Sequence, residues 1–207
     1  MRRLRILHTE ASMELGGQEY ATLALLEGLR DRGHVVILVV RAGSLLQISA
    51  NERGIPCQTI MMGKFSYPWS VLQLCTIIRE KQIDVIHTHG SPDNWIGALA
   101  GRFSWAKPVV VLTRHKSTPI RKHALNQVLY HQLVDRIVST GGETIRRQWI
   151  TDYGFPEDHV LAIPTGADVE RFYPGVEGTA FRKELGVPPN DRLIGSVCFL
   201  RSYKGLD

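Results

Sequence analysis

Residues Leu4–His34 read LRILHTEASMELGGQEYATLALLEGLRDRGH, and this stretch decides the fold class. Its apolar start predicts a short buried strand, Gly16–Gly17 predicts a tight loop, and the segment from Gln18 to about Arg32 has helical apolar spacing. The spacing assigns these residues to the buried helix face: Ala21, Ala24, Leu25, Gly28 and Leu29, widened by Leu23 and Leu26. A strand, a glycine loop and a helix in this order form the first unit of an α/β sheet.

The Gly16–Gly17 loop joins the predicted strand to the predicted helix. Glycine lets the backbone approach a ligand closely, and the free N–H groups of a helix N-terminus attract anions such as phosphate. The loop does not fit G-x-G-x-x-G, and it lacks the Lys-Ser/Thr ending of a nucleotide triphosphate loop. The pattern favours a phosphate site that is not built for NAD or ATP, with a purely structural turn as the alternative.

The rest of the chain alternates apolar strand patterns with helical patterns, which predicts a Rossmann-like, doubly wound parallel sheet with helices on both faces. Ligands of such sheets bind at the carboxyl ends of the strands. Four polar segments fall at predicted strand ends: His8–Thr9, His87–Gly90, Thr113–Lys116 and Ser139–Gly141. We expect these segments to meet on one edge of the sheet. Because His87 and His89 alternate along a strand, they should point to opposite faces, and no metal site is expected.

Composition indicates a globular protein with an uneven charge. Its three cysteines are widely spaced, which indicates reduced thiols and a cytoplasmic location. Between Asn94 and Val134 there is no Asp or Glu, yet six basic residues occur: Arg102, Lys107, Arg114, Lys116, Arg121 and Lys122. This basic stretch (residues 94–134) predicts an anionic partner, either a phosphorylated substrate or an anionic membrane surface. Nucleic acid is not expected, because the stretch matches no nucleic-acid motif.

The C-terminal part of the sequence has a different character. We expect an N-terminal domain at residues 1–172, a linker at 173–191, and the first strand and diphosphate-binding loop of a second domain at 192–207. The apolar run at 193–200 predicts a buried strand, and the sequence stops soon after it, as in a truncated protein. Such an unpaired strand predicts self-association between copies of the chain.

Six segments, in order along the chain, resemble motifs of the glycosyltransferases of family 4, also called glycosyl transferase group 1. They are Gly16–Glu19 (the glycine loop), Gly33–Val36 (G-H-x-V), Asp84–His89 (D-V-I-H-x-H), Leu112–His115 (a strand ending in histidine), Ile163–Phe172 (I-P-N-G-V-D-x-x-x-F) and Phe199–Asp207 (G-R-x-x-x-x-K-G-x-D). Departures from these motifs include Thr165 in place of Asn and Phe199 in place of Gly.

The resemblance implies the N-terminal, acceptor-side half of a two-domain GT-B enzyme. Such an enzyme would transfer a sugar, with retention, from a nucleotide-diphosphate sugar to a glycan or lipid-linked acceptor of the cell-envelope polysaccharide or lipopolysaccharide type. No metal cofactor is expected, and the location would be cytoplasmic, peripheral on the inner face of the membrane. The family's E-x7-E donor segment would lie beyond Asp207, so the chain alone is expected to be inactive.

The resemblance also implies a role for individual residues. His115 would be catalytic, beside the transferred sugar. The remaining residues would bind the donor diphosphate (Gly16, Gly17, Arg201, Lys204), bind the acceptor (Gln18, His89, Arg114, Lys116) or form the interdomain loop (Thr165, Gly166, Asp168). Two other functions stay open: a sugar-nucleotide epimerase of the same architecture, and a non-catalytic module that binds phosphorylated or lipid-linked glycans.

Overall fold

Seven parallel strands form one sheet in the computed structural model, which describes residues 2–63, 66–115 and 120–198. The strands are β1 (Arg5–Glu10), β2 (Val35–Val40), β3 (Cys57–Thr59), β4 (Val85–Thr88), β5 (Val109–Arg114), β6 (Arg136–Ser139) and β7 (Val160–Ala162). Their order in the sheet is β3-β2-β1-β4-β5-β6-β7, and every neighbouring pair is parallel. The predicted parallel α/β sheet is therefore confirmed.

The helices connect the strands, as the crossover connections of a parallel sheet require. They are α1 (Gly17–Asp31), α2 (Leu45–Glu52), α3 (Tyr67–Lys81), α4 (Ser91–Phe103), α5 (Ala124–Val128), α6 (Gly142–Tyr153) and α7 (Thr179–Glu184). A π-helical turn at Leu129–Leu133 follows α5.

Strand β2 shows why the sheet is covered on both faces. In its run of six apolar residues, Val36, Leu38 and Val40 pack in one core with α1 and α2, whereas Ile37 and Val39 pack in a second core with α3 and α4. An apolar residue is therefore needed at every position, since alternate side chains enter different cores. This confirms the predicted doubly wound arrangement.

Helix α4 lies unusually close to the centre of the sheet. A Cβ atom added to Gly101 would lie 2.5 Å from Cγ2 of Val110 in β5, and one added to Gly97 would overlap the Thr88 side chain in β4. The two glycines therefore allow helix and sheet to approach more closely than any larger residue would. This contact fixes the position of the α4 N-terminus above the ends of β4 and β5.

The predicted buried face of α1 is partly wrong. Ala24 and Leu25 are exposed, whereas Leu23 and Leu26 are fully buried together with Thr22. The helix has apolar residues on more than half of its circumference, so spacing alone could not identify the side that faces the sheet.

The strand order reverses between β1 and β4. From β1 the chain continues outward to β2 and β3, then returns to place β4 on the other side of β1. Helices α1 and α4 are the next elements after these two strands. In doubly wound sheets such a reversal opens a crevice at the carboxyl ends of the strands, where ligands bind. The fold thus points to the ends of β1 and β4 as the functional region.

The chain divides into two units, residues 1–166 and 167–207. The described part of the second unit contains α7, and residues 192–198 have no regular secondary structure, with Ile194 and Val197 exposed. The predicted strand at 193–200 extends into residues outside the described part, so its place in a second domain and the predicted self-association stay predictions. Among the described residues, no helix combines the length and the apolar character needed to cross a bilayer.

Candidate active site

The carboxyl ends of β1, β4, β5 and β6 meet along one edge of the sheet. His8 of β1 lies opposite His87 of β4, and Arg114 of β5 lies opposite Ser139 of β6. The Oγ1 atom of Thr140 donates a hydrogen bond of 3.3 Å to the Arg114 carbonyl oxygen. The predicted convergence of the polar segments is therefore confirmed.

Three histidines from β1 and from the ends of β4 and β5 are linked in a row, the histidine chain (His8, His89 and His115). Nδ1 of His8 lies 2.9 Å from Nε2 of His89, and Nδ1 of His89 lies 3.3 Å from Nε2 of His115. The side chains of His8 and His89 are buried, and His115 is half-buried. Only the outer end of the chain is therefore accessible to a ligand.

His87 packs beside the chain. Its Nε2 atom lies 2.6 Å from Oγ1 of Thr113, and its ring centroid lies 4.4 Å from that of His89. The expectation that His87 and His89 point to opposite faces is wrong, because β4 ends at Thr88 and alternation does not extend to His89.

His8, His87 and His89 bring one nitrogen each within 4.8 Å of one another, close enough to share a metal ion after small movements. The expectation of no metal stays a prediction.

The histidines are held in the neutral form by their surroundings. Burial, assisted by neighbouring histidines, lowers the pKa of His8 and of His89 well below its ordinary value, and lowers that of His87 to about 4. Burial also lowers the pKa of His115, whereas the negative charge of Glu19 acts in the opposite direction. At neutral pH each ring of the histidine chain therefore carries one proton and one free lone pair.

Two buried carboxyl groups lie under the same edge. Asp93 accepts hydrogen bonds through Oδ2 from the backbone N–H groups of His89 (2.9 Å) and Gly90 (3.1 Å) and from the Thr9 hydroxyl (3.1 Å). Glu10 accepts a hydrogen bond of 2.6 Å through Oε2 from Nε2 of Gln18. Burial, reinforced by the charge of Asp93, raises the pKa of Glu10 to about 8. Burial raises the pKa of Asp93 as well, although the hydrogen bonds from its three donors act to lower that pKa.

The N-terminus of α1 is partly occupied by the protein itself. Glu19 accepts the backbone N–H of Gly16 through Oε2 at 2.8 Å, as a capping residue does. A Cβ atom added to Gly17 would meet nothing within 4 Å, so the space beside it is open. The part of the helix end that remains for an anion is therefore at Gly17 and Gln18 rather than at Gly16.

The other predicted site residues are in different surroundings. The Arg114 guanidinium lies over the Trp149 ring, 5.6 Å from its centroid, and Thr165, Gly166 and Asp168 are exposed. Oδ1 of Asp168 accepts the N–H groups of Glu170 and Arg171, each at 3.1 Å. Lys116, Arg201 and Lys204 lie outside the described residues. The structure thus brings together Gly16, Gly17, Gln18, His89 and His115.

Sequence reasoning did not assign His8, Glu10, Glu19 or Asp93 to the site. His8 and Glu10 were recognisable in part, because His8-Thr9-Glu10 ends an apolar strand with three polar residues. Asp93 is recognisable as a helix-start residue, but its contact with Thr9 joins positions that are 84 residues apart. That contact depends on the pairing of β1 with β4, which the sequence pattern alone does not specify.

A raised pKa links Glu10 to stability in a definite direction. Its ordinary value of 4.5 is raised to about 8 in the folded chain, so this group favours folding fully below about pH 4.5 and loses that contribution as pH rises to about 8. We expect Glu10→Gln to gain stability relative to the parent chain across this window, by at most about 1.4 kcal/mol per pH unit. Urea unfolding at a series of pH values measures the difference.

The matched control is Glu52→Gln, because Glu52 is exposed at the end of α2. Its unfolding curves should follow those of the parent chain at every pH. A Glu10→Gln profile parallel to that of the parent chain would show that folding does not raise the pKa of Glu10.

Comparison with known proteins assigns the family. The model of Glycosyltransferase Family 4 matches residues 15–171. A D-inositol 3-phosphate glycosyltransferase of Corynebacterium jeikeium is 27% identical over an alignment 225 positions long, gaps included, which covers 93% of this chain and 52% of that protein. The chain therefore spans about half the length of the curated relatives it matches.

Two solved structures show the same fold. A glycosyltransferase from Rickettsia africae has a TM-score of 0.76 at 18% identity, covering 92% of this chain and 51% of its own. HepE of Anabaena, in complex with UDP-glucose, has a TM-score of 0.69 at 17% identity, covering 89% of this chain and 50% of its own. The parallel sheet agrees with these GT-B structures, and the family match covers most of the chain. This chain belongs to Glycosyltransferase Family 4.

Proposed function

We propose that this chain forms the acceptor-side domain of a retaining glycosyltransferase. The full-length protein would transfer a sugar from a nucleotide-diphosphate sugar to a glycan or lipid-linked acceptor of the cell envelope. The observation that carries the proposal is the convergence, at the β1–β4 reversal, of the open helix end at Gly17 and the outer histidine His115. An anion site and a neutral hydrogen-bonding side chain in one crevice fit a diphosphate linked to a sugar.

The helix end would act on the leaving group. In the transfer, the bond between the anomeric carbon and the diphosphate oxygen breaks, the acceptor oxygen bonds to that carbon, and the departing diphosphate takes up the acceptor proton. Negative charge therefore grows on the diphosphate, and the partial positive charge at the start of α1 would stabilise it. Gly17 and Gln18 would supply the N–H groups, because Glu19 already accepts that of Gly16.

His115 would act on the sugar. Its pKa is lowered by burial, so at neutral pH it is an uncharged hydrogen-bonding group rather than a cation that pairs with the diphosphate. A neutral imidazole suits a sugar hydroxyl, and it would position the anomeric carbon between the diphosphate and the acceptor. His115 would thus touch the transferred sugar itself.

The remaining assignments are proposals of the same kind. Gln18, Arg114 and Lys116 would contact the acceptor, and Arg201 and Lys204 would hold the diphosphate through charge-assisted hydrogen bonds. His89 was assigned to the acceptor as well, but its side chain is buried between His8 and His115, so its contribution would be indirect.

Transfer is preferred to the two other functions. The family match and the curated relatives, which are named as glycosyltransferases, favour transfer over epimerisation. An epimerase would convert a nucleotide sugar without any acceptor, and a binding module would give no product. Product analysis with and without acceptor therefore separates the three functions.

The test is His115→Ala in the full-length protein. We expect turnover of the nucleotide sugar to fall at least about 100-fold, because a group that positions the reacting sugar is lost. Stability should change by less than about 1 kcal/mol, because the side chain is half-buried at a strand end. Steady-state kinetics and urea unfolding measure the two effects, and the anomeric configuration of the product tests retention.

His123→Ala is the matched control. His123 is exposed and accepts the backbone N–H of Asn126 at 3.3 Å, so its loss removes a helix cap outside the site. It should cost about 1 kcal/mol of stability and leave turnover unchanged. Normal turnover in His115→Ala would remove His115 from the active site.

We also propose that the protein binds the inner face of the cytoplasmic membrane through part of the basic stretch. Phe103 and Trp105 are 72% and 95% exposed, come shortly before Lys107 in the sequence, and line an apolar groove between α3 and α4. Aromatic side chains beside a cation suit an anionic lipid surface. Two basic side chains of the stretch already make contacts within the protein. Arg102 pairs with Asp135 at 2.8 Å, and Lys122 lies over the Tyr153 ring.

Vesicle sedimentation tests this surface. The double variant Phe103→Ser with Trp105→Ser should weaken binding to phosphatidylglycerol-containing vesicles at least about tenfold, because both aromatic side chains lose their apolar contact with lipid. Ile48→Ser is the control, because Ile48 is 53% exposed on α2 and belongs to no basic stretch. Binding should also weaken with salt. Equal binding of parent and double variant, or equal binding to neutral phosphatidylcholine vesicles, would refute the proposal.

A further inference from the structure

We propose that His8 and His89 are positioning residues that hold the proton of neutral His115 on Nδ1, so that His115 meets its ligand as a hydrogen-bond donor. The inference deepens the proposed function, on which it rests for the nature of the ligand, a sugar hydroxyl. The tautomer itself is a property of the free protein and can be measured without substrate.

The two contacts of the histidine chain restrict its protons. In each contact Nδ1 of the inner ring meets Nε2 of the next ring, at 2.9 Å and then at 3.3 Å. A neutral imidazole has one N–H and one lone pair, so each contact needs the N–H on one side and the lone pair on the other. All three rings must therefore carry their proton on the same nitrogen, either Nδ1 throughout or Nε2 throughout.

The buried end of the chain distinguishes the two arrangements. Nε2 of His8 is buried and has no hydrogen-bond partner among the described residues. With the protons on Nε2, this atom would be a buried N–H donor without an acceptor among the described residues, and unpaired N–H groups are rarer in protein interiors than unpaired acceptors. With the protons on Nδ1, the unpaired group is a lone pair. The buried end therefore favours the Nδ1 arrangement.

The accessible end favours the same arrangement. The negative charge of Glu19 acts on His115, where it opposes the effect of burial on the pKa. When all three rings of the histidine chain carry their proton on Nδ1, their N–H bonds point outward, from His8 toward His115. The positive end of each N–H dipole is then directed toward this carboxylate. With the protons on Nε2, the Nδ1 lone pair of His115 would instead face the negative charge.

The inner rings are well placed to hold the outer one. His8 lies within β1 and is fully buried, and the backbone N–H of His89 is fixed by Asp93 at 2.9 Å. The nitrogen that is protonated on a histidine is set by the hydrogen bond that its other nitrogen makes. His89 makes that bond to Nε2 of His115, which leaves Nδ1 of His115 for a ligand.

This arrangement limits what His115 can do. Its Nδ1–H donates to an oxygen with a lone pair, such as a hydroxyl of the transferred sugar. Nδ1 cannot take up the proton of the hydroxyl group that receives the sugar, because this nitrogen already carries a proton. His115 would thus position the sugar and would not serve as the general base.

Nitrogen–proton correlation spectra of the full-length protein, labelled with 15N-histidine and recorded at neutral pH without substrate, show the tautomer directly. We expect the His115 pattern to be that of a ring protonated at Nδ1. The internal reference is His123, whose Nδ1 accepts the Asn126 N–H and must therefore be unprotonated. A His115 ring protonated at Nε2 would overturn the inference.

Variants separate a positioning role from a purely structural one. His8→Asn can keep an N–H near the position of Nδ1, and His115 should stay protonated at Nδ1. His8→Leu removes that N–H, and the His115 pattern should shift to the Nε2 form that free imidazole prefers. His87→Gln is the control, since His87 bonds Thr113 and lies outside the chain, and it should leave His115 unchanged.

The outcomes distinguish this inference from the proposed function. A parent protein with the Nδ1 form but no transferase activity would refute the function alone, and the Nε2 form in an active enzyme would refute the inference alone. An unchanged His115 pattern in folded His8→Leu would also overturn it. Should His8→Leu fail to fold, the parent and His8→Asn spectra decide.

Discussion

The parallel pairing of β1 with β4 is the constraint on which the rest of the site depends. This pair lies where the strand order reverses, and it places His8 opposite His87, so that residues about 80 positions apart in sequence become neighbours. The helices that follow both strands begin at the same edge, and Gly97 and Gly101 let α4 approach the sheet closely. The crevice, the position of the α1 N-terminus and the contact between His8 and His89 all follow from this one pairing.

Burial removes most of the charge from the histidines and from Glu10 in this polar region. The histidines, whose pKa is lowered, and Glu10, whose pKa is raised to about 8, are mostly uncharged at neutral pH, whereas Asp93, with a pKa of about 6, is mostly ionised. The α1 N-terminus adds a partial positive charge, which the carboxylate of Glu19 in the first turn of the helix partly offsets. Uncharged, preorganised histidines beside a helix end would suit a reaction in which negative charge develops on a phosphate.

Much of the fold could be predicted from the sequence, because strands and helices are indicated by the pattern of apolar and polar residues within short segments. The β2 run from Val35 to Val40 is apolar at every position, which indicates a strand covered on both faces, and the polar strand ends indicate the ligand-binding edge. The buried side of α1 could not be predicted, because Leu25 and Leu26 are equally apolar and only packing distinguishes them. The placement of His89 beside His87 depends on where β4 ends, and the burial of Glu10 depends on contacts with distant segments.

The central claim is that the crevice at the β1–β4 reversal holds the nucleotide-diphosphate sugar. A crystal structure of the full-length protein with a nucleotide sugar that it turns over tests this claim most directly. The account predicts the diphosphate at the N–H groups of Gly17 and Gln18, with a hydroxyl of the sugar within hydrogen-bond distance of Nδ1 of His115. A donor bound elsewhere, with no contact between its sugar or diphosphate and these residues, would contradict it.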